Sequence, residues 1–158
     1  VITSFEDALG VLPCLTAFIP MLMDTGGNSG SQACVSIIRG ISLNEIEFRD
    51  LGRVVWKEIR VSVLCGVCLA IACFAKIIVV DMLLLKSESV TYLVAFVVCA
   101  TMAVTVCLAK IVGSTLPLLA KKLGFDPAVM ASPIITTIVD FLSLLVYFAF
   151  ATAMLGIG

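Results

Sequence analysis

One aspartate stands inside an apolar run near the C-terminus. Asp140 lies within Ile134–Phe150, where the other polar side chains are Thr136, Thr137, Ser143 and Tyr147. Ser132, Thr136 and Asp140 are four apart and share one face of a helix. Three oxygen-bearing side chains on one face suit a hard cation or its hydration shell. The bland reading is interhelical hydrogen bonding, with Asp140 protonated or paired to a lysine. A second polar run, Pro20-Met-Leu-Met-Asp24-Thr25-Gly26-Gly27-Asn28-Ser29-Gly30-Ser31-Gln32, is a poor continuous helix on paper. Its glycines suit a broken helix that exposes carbonyls beside water or protein. They also suit close helix packing, since Gly26 and Gly30 are four apart. Packing alone leaves Asp24, Asn28 and Gln32 unexplained, again at four-residue spacing. The run is therefore expected to line a permeation path.

Other chemistry is excluded. The 158 residues contain no histidine, which removes Ser-His-Asp and Cys-His catalysis and every His-ligated metal site. A net charge of −1 lacks the footprint that nucleic-acid binding needs, so no nucleic-acid partner is expected. All seven cysteines sit in apolar runs, where thiols behave as small hydrophobes rather than as a disulfide framework. Cys65-Gly-Val-Cys68 has the CxxC spacing, but its flanks are apolar and no second pair exists. No nucleophile–base pair can be named, and Glu58 has no partner set in the sequence. The chain does not read as an enzyme.

These side chains must be carried by membrane helices. Hydrophobic content is 61%, charged content 13% and mean hydropathy +1.22, far from soluble-domain values. About 20 apolar residues cross a bilayer. Four spans are predicted, at 9–38, 59–80, 90–119 and 133–158, in an all-α polytopic bundle embedded in lipid. Ser42-x-x-Glu45 reads as a capping box opening an amphipathic helix at 43–58, with Trp56 at the interface. Asp126-Pro127 and Ser132-Pro133 read as N-cap and N1 pairs, and Gly124 as a helix end. Lys76 and Lys110 are expected to snorkel from span ends.

Basic residues orient the bundle. Arg39, Arg49, Arg53, Lys57 and Arg60 fall between the first two spans, and Lys121 and Lys122 between the last two. The loop between the second and third spans has Lys86 alone. The positive-inside rule then places both termini outside. Val1-Ile2-Thr3-Ser4 does not read as a signal peptide, and the sequence looks cut from a longer protein. Asn28, about 16 Å of helix from Arg39, and Asp140, about 10 Å from Pro133, reach similar depth. Oxygen donors without thiolate or imidazole favour magnesium or calcium, and magnesium gives up its water reluctantly.

The stretch Phe18-Ile-Pro-Met-Leu-Met-Asp-Thr-Gly-Gly-Asn-Ser-Gly-Ser-Gln32 resembles the signature of the MgtE magnesium transporters. Asp126-Pro-Ala-Val-Met-Ala-Ser-Pro-Ile-Ile-Thr-Thr-Ile-Val-Asp140 resembles that family's final helix and its approach, and Arg39-Gly40 before an amphipathic helix also fits. The resemblance covers essentially the whole chain. It implies a homodimeric Mg²⁺ channel in the plasma (inner) membrane, its pore on the two-fold axis between the first and last spans of both subunits. It matches the family's pore aspartate to Asp140 and its glycine-rich pore residues to Gly27, Asn28 and Gly30. Eight residues before the aspartate, where the family often has Asn, this chain has Ser132; Thr136 stands four before it. Asp24, Gly26, Gln32 and Pro133 are expected along the same path.

The family has five membrane helices, so Val1–Asp7 is expected to be the end of a first helix or the loop after it. The regulatory N domain and the paired CBS domains that sense magnesium are absent from this sequence. The leading expectation is a channel binding largely hydrated Mg²⁺ between two copies of Asp140. Its rivals are a secondary-active divalent cation carrier using the same site and a membrane scaffold that transports nothing.

Overall fold

The computed structural model describes residues 13–85, 90–130 and 133–155. Lys86, Ser132 and Val1–Asp7 lie outside these, so the expectations resting on them stay expectations. Four long helices dominate: α1 (Ile19–Ser42), α2 (Leu51–Lys76), α3 (Tyr92–Lys122) and α4 (Pro133–Leu155). Short 3-10 turns precede α1, α2 and α4 at Pro13–Phe18, Phe48–Asp50 and Pro127–Met130. A π-helical turn, Ile77–Leu84, extends α2. No strand occurs among the described residues, and the fold is an all-helical membrane bundle.

Composition separates the helices. Three are long and apolar enough to cross a membrane: Phe48–Leu84, Tyr92–Lys122 and Pro133–Leu155. The first predicted span is not among these three. At about 1.5 Å per residue α1 has the length, but the run from Asp24 to Gln32 keeps it polar. The bundle accommodates that polarity by packing. α3 is the central helix, with α1 and α4 packed on it and on each other, and α2 resting mainly on α3.

Paired positions give the directions. Gly26 lies against Thr105 and Gly30 against Ala109, so α1 and α3 run the same way. Gly26 meets Ser143 while Gly30 meets Ile135, so α4 runs opposite to α1. Gly66 meets Ala103 while Glu58 pairs with Lys110, so α2 runs opposite to α3. Successive helices thus run in alternating directions.

The glycine-rich run does not break α1. Ile19, Leu22, Gly26, Gly30, Ala33, Ile37 and Ile41 form one buried stripe at helical spacing. A break would strip N–H and C=O groups of their partners in a medium without water. The glycines instead let neighbours approach. A Cβ on Gly26 would stand 2.7 Å from Thr105 Cγ2 and 2.9 Å from Val139 Cγ1. One on Gly113 of α3 would overlap the Gly30 carbonyl oxygen. This is the small-residue packing face that the spacing of Gly26 and Gly30 allowed.

The loops differ from expectation in detail. Ser42 is the last residue of α1, and its hydroxyl donates to the Ile38 carbonyl at 2.9 Å. It cannot therefore open the next helix. Asn44 takes a positive φ of 56°, and the N–H groups of Glu45 and Ile46 return to the Gly40 carbonyl. The reciprocal cap is at Glu47 and Asp50, where the Glu47 N–H donates to Asp50 Oδ2 at 3.1 Å. The amphipathic helix expected at 43–58 becomes α-helical only at Leu51, and from there it runs into the second span as one helix, α2, with no boundary near residue 58. Gly124, at φ 81°, turns the chain after α3, and Asp126 Oδ1 accepts from the Ala128 N–H at 2.9 Å. The other end is fastened by the buried Tyr147 hydroxyl, which donates to the Leu15 carbonyl at 2.9 Å.

Candidate cation site

Helical spacing gives α1 two faces. Opposite the buried glycine stripe stand Asp24, Asn28 and Gln32, all exposed in the single chain. On α4, Val139 and Ser143 turn into the packing, leaving Thr136 and Asp140 on a half-buried flank. Because α1 and α4 are antiparallel neighbours, the two polar faces meet. A cavity of about 180 Å³ is lined by Met23, Asp24, Gly27, Asn28, Thr136 and Asp140.

Gly27 sets the clearance. A Cβ there would lie 3.3 Å from Thr136 Cγ2 and 3.9 Å from Asp140 Oδ1, so any larger side chain would intrude between α1 and the carboxylate. The Thr136 and Thr137 hydroxyls both donate to the Pro133 carbonyl, at 3.1 and 2.8 Å. The Thr136 side chain lines the cavity beside Asp140. Among the described residues the cavity lining carries two carboxylates and no cationic side chain. Among the described residues no group of three or more His, Cys, Asp and Glu side chains forms a metal cage. Two carboxylates, an amide and a hydroxyl suit a cation that keeps most of its water.

The predicted residues thus divide. The cavity joins Asp24, Gly27, Asn28, Thr136 and Asp140. Gly26 and Gly30 face the packing of α1 against α3 and α4. Gln32 lines a second cavity, of about 450 Å³, with Asp24, Asn28 and Lys110. Pro133 opens α4, and Ser132 lies outside the described residues.

Two features were missed. Lys110 does not snorkel: it is 8% exposed, and its Nζ lies 3.7 Å from Oε2 of Glu58, itself 5% exposed. Each charge lies in an α2 or α3 stretch facing the other, so the nearest countercharge is the partner and not the membrane surface. Glu58 stands beside Lys57 and Arg60, so nothing in the sequence marked it as the partner of Lys110. Gly113 was the other omission, detectable only as a small residue near Lys110. Lys76 is half exposed, pairs with Asp81 at 2.8 Å and sits 5.4 Å from the Phe18 ring. Residues five apart are brought together by the π turn that follows it. The cysteines are all free thiols.

Helices of this length and composition, with an acidic cavity between two of them, define a polytopic helical membrane protein. The chain belongs to the MgtE family of divalent cation transporters, which matches residues 19–150. It is 35% identical over 155 residues to the magnesium transporter MgtE of Bacillus subtilis strain 168, covering 98% of this chain and 33% of that protein. It is 32% identical over 155 residues to the magnesium transporter MgtE of Thermus thermophilus, covering 98% and 32%. The corresponding protein of Enterococcus faecalis is 30% identical over 151 residues, covering 96% and 32%. The chain therefore spans about a third of the length of these relatives.

Proposed function

We propose that the chain forms the ion path of a magnesium transporter, with Mg²⁺ as cargo and no enzymatic step. The observation that carries this is the pair Asp24 and Asp140, brought from antiparallel helices to one cavity with Gly27, Asn28 and Thr136. Carboxylates facing one another within a membrane span are costly without a cation. A divalent ion that retains water matches them in charge and in donor type. Family membership supports a divalent cation, and the similarity to magnesium transporters supports magnesium among them.

In this reading the path is channel-like and lies at a homodimer two-fold axis in the plasma membrane, both termini of this sequence outside. The polar edge of α1 is exposed in one chain, and a second copy would cover it and bring in a second Asp140. Ser132 would shape the site with the cavity residues, whereas Gly30 contributes through the packing that sets α1 against α3 and α4. Cytoplasmic CBS domains of a longer chain would supply closure.

The test is Mg²⁺ uptake into proteoliposomes by the protein and its Asp140→Ala variant. Loss of uptake in the variant is expected, and undiminished uptake overturns the assignment. Uptake that follows a sodium or proton gradient beyond the membrane potential would replace the channel by a carrier using the same residues.

A further inference from the structure

The α1 residues Asp24 and Asn28 line two cavities at once. On the Asp140 side, in about 180 Å³, the charged groups are the two carboxylates. On the α2 side, in about 450 Å³, Asp24 shares the lining with the Lys110 ammonium, Gln32, Cys65 and Cys68. We propose that Lys110 is a positioning residue: its fixed positive charge keeps the transported cation out of the larger cavity and confines it to the Asp140 side of α1. This rests on the transport reading above.

The charge is built in rather than incidental. Lys110 is buried, and Glu58 on α2 supplies the countercharge that makes a buried ammonium tolerable. At 3.7 Å the pair is longer than a hydrogen bond, so the ammonium keeps donors for the cavity. The cavity wall is largely apolar, but Asp24, Asn28 and Gln32 gather on it beside the ammonium, and it is large enough for several waters that complete those donors. A hydrated divalent ion entering there would gain Asp24 but meet Lys110, whereas on the other side it gains two carboxylates. Lys110 is on the lining and Glu58 is not, so at an effective dielectric near 20 the ammonium, with its countercharge set a few ångströms behind it, changes local divalent-ion occupancy by about tenfold.

Cys68, exposed and on the lining, reports the potential. The protein in liposomes is treated on both faces with an anionic or a cationic methanethiosulfonate, with and without Mg²⁺, and modification of Cys68 is read by mass spectrometry. In the unmodified protein Cys68 is expected to react, and Mg²⁺ is expected not to protect it. In Lys110→Met/Glu58→Gln, which removes both buried charges together, the rate ratio should shift roughly fivefold toward the cationic reagent, and Mg²⁺ should now protect Cys68. Lys110→Arg should retain the original ratio. An unchanged ratio in the double variant, Mg²⁺ protection already present in the unmodified protein, or no reaction at Cys68 in it each overturns the proposal. The transport reading is judged separately by Asp140→Ala uptake, since that variant leaves Lys110 in place.

Discussion

Gly113 of α3 lies so close to Gly30 of α1 that a methyl group on Gly113 would overlap the Gly30 carbonyl oxygen. The obstructing atom is backbone, so no side chain can swing aside. Gly113→Ala should therefore push α1 away from α3 and lower thermal stability in detergent by about 1–3 kcal/mol, the usual range for overpacking. Gly52, in the first turn of α2, has open space around it. Gly52→Ala should raise stability by about 0.5–1 kcal/mol through helix propensity alone. Melting curves of the two variants would check the contrast.

The Tyr147 hydroxyl ties α4 to the turn before α1 through the Leu15 carbonyl. Tyr147→Phe keeps the ring and leaves a buried carbonyl without its donor. The expected loss is about 1–3 kcal/mol, read as a lower melting temperature. Thr152→Val removes a hydroxyl whose acceptors, the Phe148 and Ala149 carbonyls, belong to its own helix, and it should cost less.

Removing one member of the Glu58–Lys110 pair should be worse than removing both. Glu58→Gln alone leaves an uncompensated buried ammonium, with an expected cost of about 3–5 kcal/mol. The double variant Glu58→Gln/Lys110→Met should recover most of it. Denaturation of the single and double variants in the same detergent gives the coupling directly.

The sequence revealed the composition of the fold and site more fully than their contacts. Apolar length marked the helices, and the four-residue spacing of Asp24 and Asn28, and of Thr136 and Asp140, foretold faces that do line one cavity. The continuity of α1 was hidden because helix propensity counts each glycine as a penalty. Gly26 and Gly30 are compensated by Thr105, Ala109, Val139 and Gly113, residues distant in sequence. Ser42 was misread for a related reason: a capping pattern does not say where the preceding helix stops. The Lys110 partner was hidden because a lone lysine in an apolar segment fits snorkelling and pairing equally well until the facing helix is known.

Gly27 should be intolerant for a different reason from Gly113. Its missing side chain faces Thr136 and the Asp140 carboxylate instead of the bundle core. Gly27→Val should reduce Mg²⁺ uptake at least about tenfold, since a branched side chain would displace the ion's water shell. The folded bundle should survive, as judged by an elution profile close to that of the unmodified protein. Asn28→Leu should give a partial loss, because the carboxylates remain.

The central claim is that Mg²⁺ resides beside Asp140 with its water shell largely kept. The most direct measurement is a cation-soaked experimental structure of the protein in lipid, with the metal located and its distances to Asp140 Oδ atoms determined. The account predicts a cation in the cavity shared by Asp24, Gly27, Asn28, Thr136 and Asp140, farther from the carboxylate oxygens than the ~2.1 Å of direct coordination. A cation found instead beside Lys110 in the larger cavity, or an Asp140 site empty at saturating magnesium, would contradict it.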